Sequence, residues 1–294
     1  MQRATRVPIS GVHSPVYHVN DTSSTLDLAA ALLADTTTAT PHLTTIIADH
    51  QSAGRGRLGR TWTTPDGQAL LASTIVSLPT LFPTEMLGWL VHACALSVRD
   101  ALSLRLSSLG HTVSLKWPND VLVDGTRKIC GILAQLAPAS SPFTTSAILG
   151  YGINIAQDCG HLATPQATSL YVEGDTEARA DPISVSHTLL AQILTGLDSR
   201  IRGLVTHGNA RDCGLADEAA NALPLLGTRI ALAKPTDPNG HPAMEGVALG
   251  LSPTGSLLVA TDDGRTHDIN AGDVLATGLP LTTVHDTKEK RANN

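Results

Sequence analysis

Between Val113 and Ile153 the chain alternates short apolar runs with tight-turn signals. Val113–Lys116, Val121–Val123, Ile129–Leu136 and Thr145–Ile153 read as strands, broken by Pro118-Asn119-Asp120 and Asp124-Gly125. Runs this short between turn residues predict a sheet built of hairpins. The flanking segments carry a different period. Leu26, Ala29, Leu32 and Leu33 recur at helical spacing within Ser24–Leu33, behind N-cap candidates from Asp21 to Ser24. Glu85–Leu109 places Leu87, Leu90, Val91, Cys94, Val98 and Leu102 on one helical stripe, and Ile183–Leu204 is a further amphipathic helix. Leu43–Ala48 and Leu70–Leu78 are apolar strands, and Ala156–Asp181 is a polar, Pro/Gly-rich loop. After Leu223-Pro224 only short strands remain, at Thr228–Ala233, Glu245–Leu251, Leu257–Ala260 and Thr266–Ile269. That spacing predicts a small β-barrel. The expected architecture is therefore an α+β domain followed by a small all-β domain.

At about 100–200 residues per domain, 294 residues fit two such units. The boundaries read as an N-terminal tail over 1–20, a main domain over 21–223, a β-rich domain over 227–279 and a polar tail over 283–294. With 42% hydrophobic and 16% charged residues the chain is too apolar for disorder. Its longest apolar stretches fall short of the roughly 20 residues that span a membrane. Aromatics are 3%, so Ala, Leu, Val and Ile must build the core. A formal charge of −6 argues against a general nucleic-acid binder. Cys94, Cys130, Cys159 and Cys213 form no CxxC pair, and the N-terminus has no apolar signal region. Both observations predict a cytoplasmic protein with reduced thiols.

Three constellations carry chemistry. The first is Gln51-Ser-Ala-Gly-Arg-Gly-Arg-Leu-Gly-Arg-Thr-Trp62, where Arg55, Arg57 and Arg60 interleave with Gly54, Gly56 and Gly59. Glycines let backbone N–H groups converge and guanidinium forks grip phosphate or carboxylate, so the loop predicts an anion clamp. Trp62 beside it offers a flat face for a nucleobase. The plainer alternative is an exposed Arg-rich loop. The second constellation is Lys116-Trp-Pro-Asn119-Asp120 followed by Arg127-Lys128-Ile-Cys-Gly131, which sets cations and a carboxylate at neighbouring strand ends. Taken singly, Lys128 reads as a solvated hairpin lysine and Asp120 as an Asx-turn cap. The third is Gly150-Tyr-Gly-Ile-Asn154, where glycines permit close approach of a ligand or mark a bulge.

In this order the motifs closely resemble biotin protein ligases, over about Asp21 to Gly278. The tail Gly246-Val-Ala-Leu-Gly-Leu with Ala271-Gly-Asp-Val looks like that family's SH3-like C-terminal domain. The resemblance implies a mixed-sheet, biotin/lipoate ligase-like catalytic domain before an SH3-like barrel. It also implies the monofunctional type, without the helix-turn-helix domain that precedes the regulatory members. Ser24 and Thr25 match a Ser-Thr pair that binds biotin, and Leu26 stands where the family usually has Asn. Gln51, Gly54, Arg55, Gly56, Arg57, Lys128 and Gly131 match further biotin-site positions. Arg57, Arg60, Trp62, Lys116, Asn119, Lys128 and Asn154 match the ATP or adenylate site. Lys128, Arg55, Arg57 and Asp120 are the expected catalytic groups.

The implied reaction uses biotin, ATP and Mg²⁺. Biotin's carboxylate attacks the α-phosphate, giving biotinyl-5′-AMP, and an acceptor lysine then takes the biotinyl group. The expected acceptor is a biotin carboxyl carrier domain of an acetyl-CoA, other acyl-CoA or pyruvate carboxylase. No nucleic acid or membrane partner is expected, and the protein would be a monomer or weak homodimer. The rivals are a lipoate–protein ligase, against which the Arg/Gly clamp with Lys-Trp-Pro-Asn-Asp argues, and a non-catalytic biotin sensor or transcriptional regulator, against which the expected lack of a DNA-binding domain, the −6 charge and Lys128 argue.

Overall fold

The structure is a computed structural model that describes residues 4–35, 37, 40–141, 144–233 and 242–277. The chain divides after Pro224 into two units. In chain order the first contains β1 (Thr5–Arg6), β2 (Val16–Thr22), α1 (Thr25–Ala34), β3 (Thr45–Gln51), β4 (Ala69–Pro79), α2 (Gly88–Leu106), β5 (Val113–Lys116), β6 (Asp120–Val123), β7 (Arg127–Ser141), β8 (Thr144–Asn154), α3 (Thr176–Ala180), α4 (Pro182–His207) and α5 (Leu215–Ala222). Its eight strands form one sheet in the order β1-β2-β3-β4-β8-β7-β6-β5. All neighbours run antiparallel except β2 and β3, which are parallel and joined through α1.

Strand β4 is buried at every position from Ala69 to Val76, so it has no polar face. Such a run requires cover on both sides of the sheet. One cover is α1, capped by the Ser24 hydroxyl, which accepts from the Leu26 N–H. It packs Leu26, Ala29 and Leu33 on Ile46, Ile75 and Ile148. The opposite cover is α2, which packs on β5, β6 and β7 and is itself backed by α4. Lying between layers, α2 is buried almost all round from Trp89 to Val98 rather than along the single stripe expected. Its predicted span also breaks into a 3-10 turn (Thr84–Leu87), the α-helix and a second 3-10 turn (Ser107–Leu109). Buried between α2 and the sheet, Cys94 has its thiol pushed up to about 12.

The expected tail over 1–20 contributes β1 and, from Val16 onward, most of β2 to the sheet, with Val16 and Val19 buried. Valines three apart do not give the alternation that marks a strand in sequence. The loop Ala156–Asp181 holds the short helix α3, whose cap Asp175 accepts from the Ala178 N–H. Helix α5 was not signalled by the sequence; eight residues give too few periods.

Where the sequence predicts a small barrel, the second unit has a five-stranded antiparallel sheet. Its strands β9 (Arg229–Ala233), β10 (Pro242–Leu251), β11 (Leu257–Ala260), β12 (Thr266–Ile269) and β13 (Asp273–Thr277) lie in the order β12-β11-β10-β9-β13. Arg229 is buried there and forms a two-pronged pair with Asp262 at 2.7 and 2.8 Å. The expected polar tail over 283–294 lies outside the described residues.

The burial of Leu26 at 4% exposure makes it a core residue first. Leu26→Ala should destabilise the protein by about 2–5 kcal/mol in a denaturant titration. A change below about 0.5 kcal/mol, the range of surface substitutions, would show that α1 does not depend on this side chain.

Candidate active site

The parallel register of β2 and β3 pairs Thr22 with Gln51, so the carboxyl ends of both strands open at one place. Ligands of sheets with parallel strands bind at such ends. Here the Thr25 N–H and hydroxyl both donate to Gln51 Oε1, at 2.8 and 3.1 Å. Ser73, on the middle of β4, donates its hydroxyl to Thr25 Oγ1 at 2.8 Å. Ser24, Thr25 and Ser73 are all buried, which makes a polar pocket inside an apolar layer. Ser73 was missed in the sequence, where it is one hydroxyl in an otherwise strand-like run. Leu26 closes this pocket as an apolar wall rather than a hydrogen-bonding group. A β-carbon on Gly150 would lie 3.0 Å from its side chain.

The floor beside the pocket comes from paired glycines. Gly131 on β7 faces Gly152 on β8 across the ladder, and Gly150 lies two residues from Gly152 on the same face. The indole of Trp62 lies on this floor: a β-carbon on Gly152 would sit 2.5 Å from its Cε2, and one on Gly131 would sit 3.1 Å from its Cζ3. Any side chain there would displace the ring. The Trp62 Nε1 is buried without an acceptor among the described residues.

Trp62 is delivered by the Arg/Gly loop, which is folded back on itself. The Trp62 N–H donates to the Gly54 carbonyl at 2.9 Å and the Gly56 N–H to the Arg60 carbonyl at 2.7 Å. Gly54 must be glycine, because a β-carbon would run into the Trp62 carbonyl oxygen. The three arginines go different ways. Arg57 donates to Asn119 Oδ1 at 3.2 Å, Arg55 pairs with Asp27 on α1, and Arg60 is exposed. Asp27 was not singled out in the sequence; it lies one turn into α1 and 28 residues from its partner.

Asn119 and Asp120 each hold one cation. Asn119 donates to the Ile132 carbonyl at 2.6 Å and accepts the Ile132 N–H at 3.0 Å through its own carbonyl, so the arm that receives Arg57 is fixed to β7. Asp120 meets Lys128 Nζ at 2.6 Å. Lys116 is the cross-strand partner of Asp120, at the end of β5.

The placement of Lys128 depends on a bulge. Strict alternation would put residues 128 and 131 on opposite faces of β7. The ladder instead pairs Val121 with Cys130 and Leu122 with Lys128, leaving Ile129 as the extra residue. A bulge of this kind re-aims a side chain. Lys128 therefore shares the face of Gly131: a β-carbon there would lie 3.3 Å from its Nζ, which also sits 5.7 Å from the Trp62 ring centre.

Asn154, expected at an adenylate site, is buried with both ends of its amide in use. It donates to the Thr168 carbonyl at 2.8 Å and accepts from Gln157 at 3.0 Å. Among the described residues, His111, Asp124 and Glu173 lie close enough to surround an ion. Arg127 already donates to both carboxylates, so a cation of the protein's own fills that role.

The chain is similar to known proteins in both sequence and fold. Residues 20–154 match the Biotin/lipoate A/B protein ligase family, and residues 236–275 match the Biotin protein ligase C terminal domain. The chain is 33% identical over 230 residues to the biotin–[acetyl-CoA-carboxylase] ligase of Mycobacterium tuberculosis, covering 78% of this chain and 77% of that one. It is 30% identical to the enzyme of that name from Paracoccus denitrificans, covering 75% and 85%. Its fold is similar to a biotin protein ligase from Aquifex aeolicus solved with biotin and ATP, at a TM-score of 0.61 and 25% identity over 90% of this chain and 98% of that one. With relatives at 30% and 33% identity covered over three quarters or more of their length, the chain belongs to the biotin/lipoate A/B protein ligase family.

Proposed function

We propose that the protein attaches biotin to a lysine of a biotin carboxyl carrier domain, using ATP and passing through biotinyl-5′-AMP. The observation that carries this reading is the Lys128–Asp120 pair at the edge of the glycine floor. A bicyclic ring fits the Ser24–Thr25–Gln51 pocket, whose hydroxyls and amide suit a urea-like group, with Leu26 as the apolar wall. Its carboxylate would extend over Gly131 and Gly152 toward Lys128. The buried Trp62 Nε1 is a donor that a ligand acceptor would meet.

In the first step a carboxylate oxygen attacks the α-phosphorus and the bond to pyrophosphate breaks. Two anions must approach, so Lys128 and Arg57 neutralise both and stabilise the charge that develops between them. Mg²⁺ bound to the ATP phosphates would supply positive charge against the departing pyrophosphate, alongside the charge of Lys128 and Arg57. Asn119 keeps Arg57 aimed. Arg55 and Arg60, on the exposed side of the loop, are assigned to closing it over the nucleotide, and Gly54 and Gly56 give the loop its reach. Lys116 and Asn154 border the nucleotide end. In the second step the acceptor amine attacks the acyl carbon and AMP leaves. Once Lys128 turns to the ligand, the Asp120 carboxylate is released and takes the amine's proton. Loop closure keeps water off the mixed anhydride meanwhile.

The relatives' names favour acetyl-CoA carboxylase as the source of the acceptor, with other acyl-CoA and pyruvate carboxylases as further candidates. Among the described residues no helix is long and apolar enough to cross a membrane. The four free cysteines suit a reducing cytoplasm.

Incubation with labelled biotin, ATP, Mg²⁺ and a carrier domain should transfer label to one acceptor lysine, and omission of ATP should abolish it. Transfer of lipoate but not biotin would replace this reading. Lys128→Ala should fold normally yet release pyrophosphate at least about a hundredfold more slowly with acceptor absent. A near wild-type rate would make Lys128 only a solvated hairpin lysine. Biotin and ATP together should slow hydrogen exchange over residues 54–62 and change the emission of Trp62, a change lost in Trp62→Phe. Unaltered exchange in that loop would show that it does not close on the ligands.

A further inference from the structure

Lys128 is held at its base as well as at its tip. The β8 ladder reaches β7 only from Cys130 onward, so it does not pair with Lys128. The Lys128 N–H donates instead to the Gln166 carbonyl at 2.7 Å, and its carbonyl accepts the Thr168 N–H at 2.8 Å. The segment 166–168 thus acts as a short parallel strand, and whatever fixes Thr168 fixes Lys128.

Thr168 is fully buried, and its hydroxyl donates to Glu173 Oε1 at 2.5 Å. The Glu173 carboxylate, with 4% of its side chain exposed, accepts Arg127 Nε at 2.6 Å and Nη2 at 2.8 Å. Arg127 precedes Lys128, so the two side chains leave β7 on opposite sides. The bonds close a ring: Arg127, Glu173, Thr168 and the Lys128 main chain. His111 Nε2 lies 3.4 Å from Glu173 Oε2, and Asp124 accepts from both Arg127 and His111. Burial raises the Glu173 pKa, but the bonds from Arg127 and Thr168 outweigh it and keep the carboxyl below its ordinary range. It is therefore an anion at neutral pH.

We propose that Glu173 is a positioning residue for Lys128, acting through Arg127 and Thr168 on the bulged strand from which the catalytic ammonium projects. The inference rests on the catalytic reading of Lys128. A buried carboxylate that only joined the loop to the sheet could bond any strand residue. This one grips both the chain neighbour of Lys128 and the residue bonded to the Lys128 main chain. Displacing that main chain would move the ammonium relative to Asp120 and to the reacting anions, and a misplacement near 1 Å can cost about a hundredfold in rate.

The test is a double-mutant cycle. Pyrophosphate release with biotin, ATP and Mg²⁺ and no acceptor is measured for the wild type, Glu173→Gln, Lys128→Ala and the double variant, with thermal midpoint and biotin affinity recorded for each. Glu173→Gln should slow release about ten- to a hundredfold while biotin affinity, set mainly at Ser24, Thr25 and Gln51, falls much less. The double variant should be no slower than Lys128→Ala alone, because a misplaced lysine and an absent one lose the same interaction. Effects that multiply, or full speed in Glu173→Gln, would overturn the proposal. If Lys128→Ala itself runs at wild-type speed, the catalytic reading of Lys128 falls and this inference with it, a result distinct from multiplying effects. Should Glu173→Gln not fold, Thr168→Val, which leaves the Arg127–Glu173 pair in place, enters the same cycle with the same expected non-additivity.

Discussion

An ammonium set against a glycine floor gives up part of its hydration, and it stays there only where an anion meets it. Asp120 is that anion, and much of the site follows from the need to bring it and Lys128 together. They come from adjacent strands, with the turn at Pro118-Asn119 presenting one and the bulge at Ile129 turning the other onto the same face. The Lys128 main chain, beyond the reach of β8, is satisfied by the 166–168 segment, and that segment is pinned by Glu173 and Asn154. Asn119, Asp120, Asn154, Thr168 and Glu173 thus each have a partner, which is what allows a charged site to sit on a sheet buried on both faces.

The glycine floor and the Arg/Gly loop solve a different problem. Side-chain-free positions let an indole lie directly on the sheet, while the Gly54–Trp62 clasp fixes where the loop begins and ends. The loop's apex carries exposed Leu58 and Arg60.

The strands from Val113 to Asn154 were legible because each apolar run is bounded by turn residues, and β5, β11 and β12 keep the limits that the pattern suggests. Strand β13 was not, since Asp273–Thr277 offers one apolar alternation beside a glycine. At the site, the glycines, the arginines and the Lys-Trp-Pro-Asn-Asp run stand out in sequence because those residue types rarely cluster without a ligand. The pairs that orient them do not stand out. Arg127 and Glu173 are 46 residues apart, and Arg57 and Asn119 are 62 apart. The bulge was invisible for a related reason: it is a property of two strands in register, and β7 alone gives no sign of it.

The parallel pair β2 and β3, the one exception in an otherwise antiparallel sheet, has a consequence for how such a protein can change. The polar pocket is written in one continuous stretch, from Val16 through α1 to Gln51, with Ser73 added from β4. Lys128 and the holders of both cations are written in another, from Lys116 to Gly131, with Arg57 added from the Arg/Gly loop. Recognition of the acid's ring and activation of its carboxylate therefore have separate addresses in the chain. A new ring can be accommodated by substitutions in the first stretch alone, leaving the machinery that joins an acid to a nucleotide untouched.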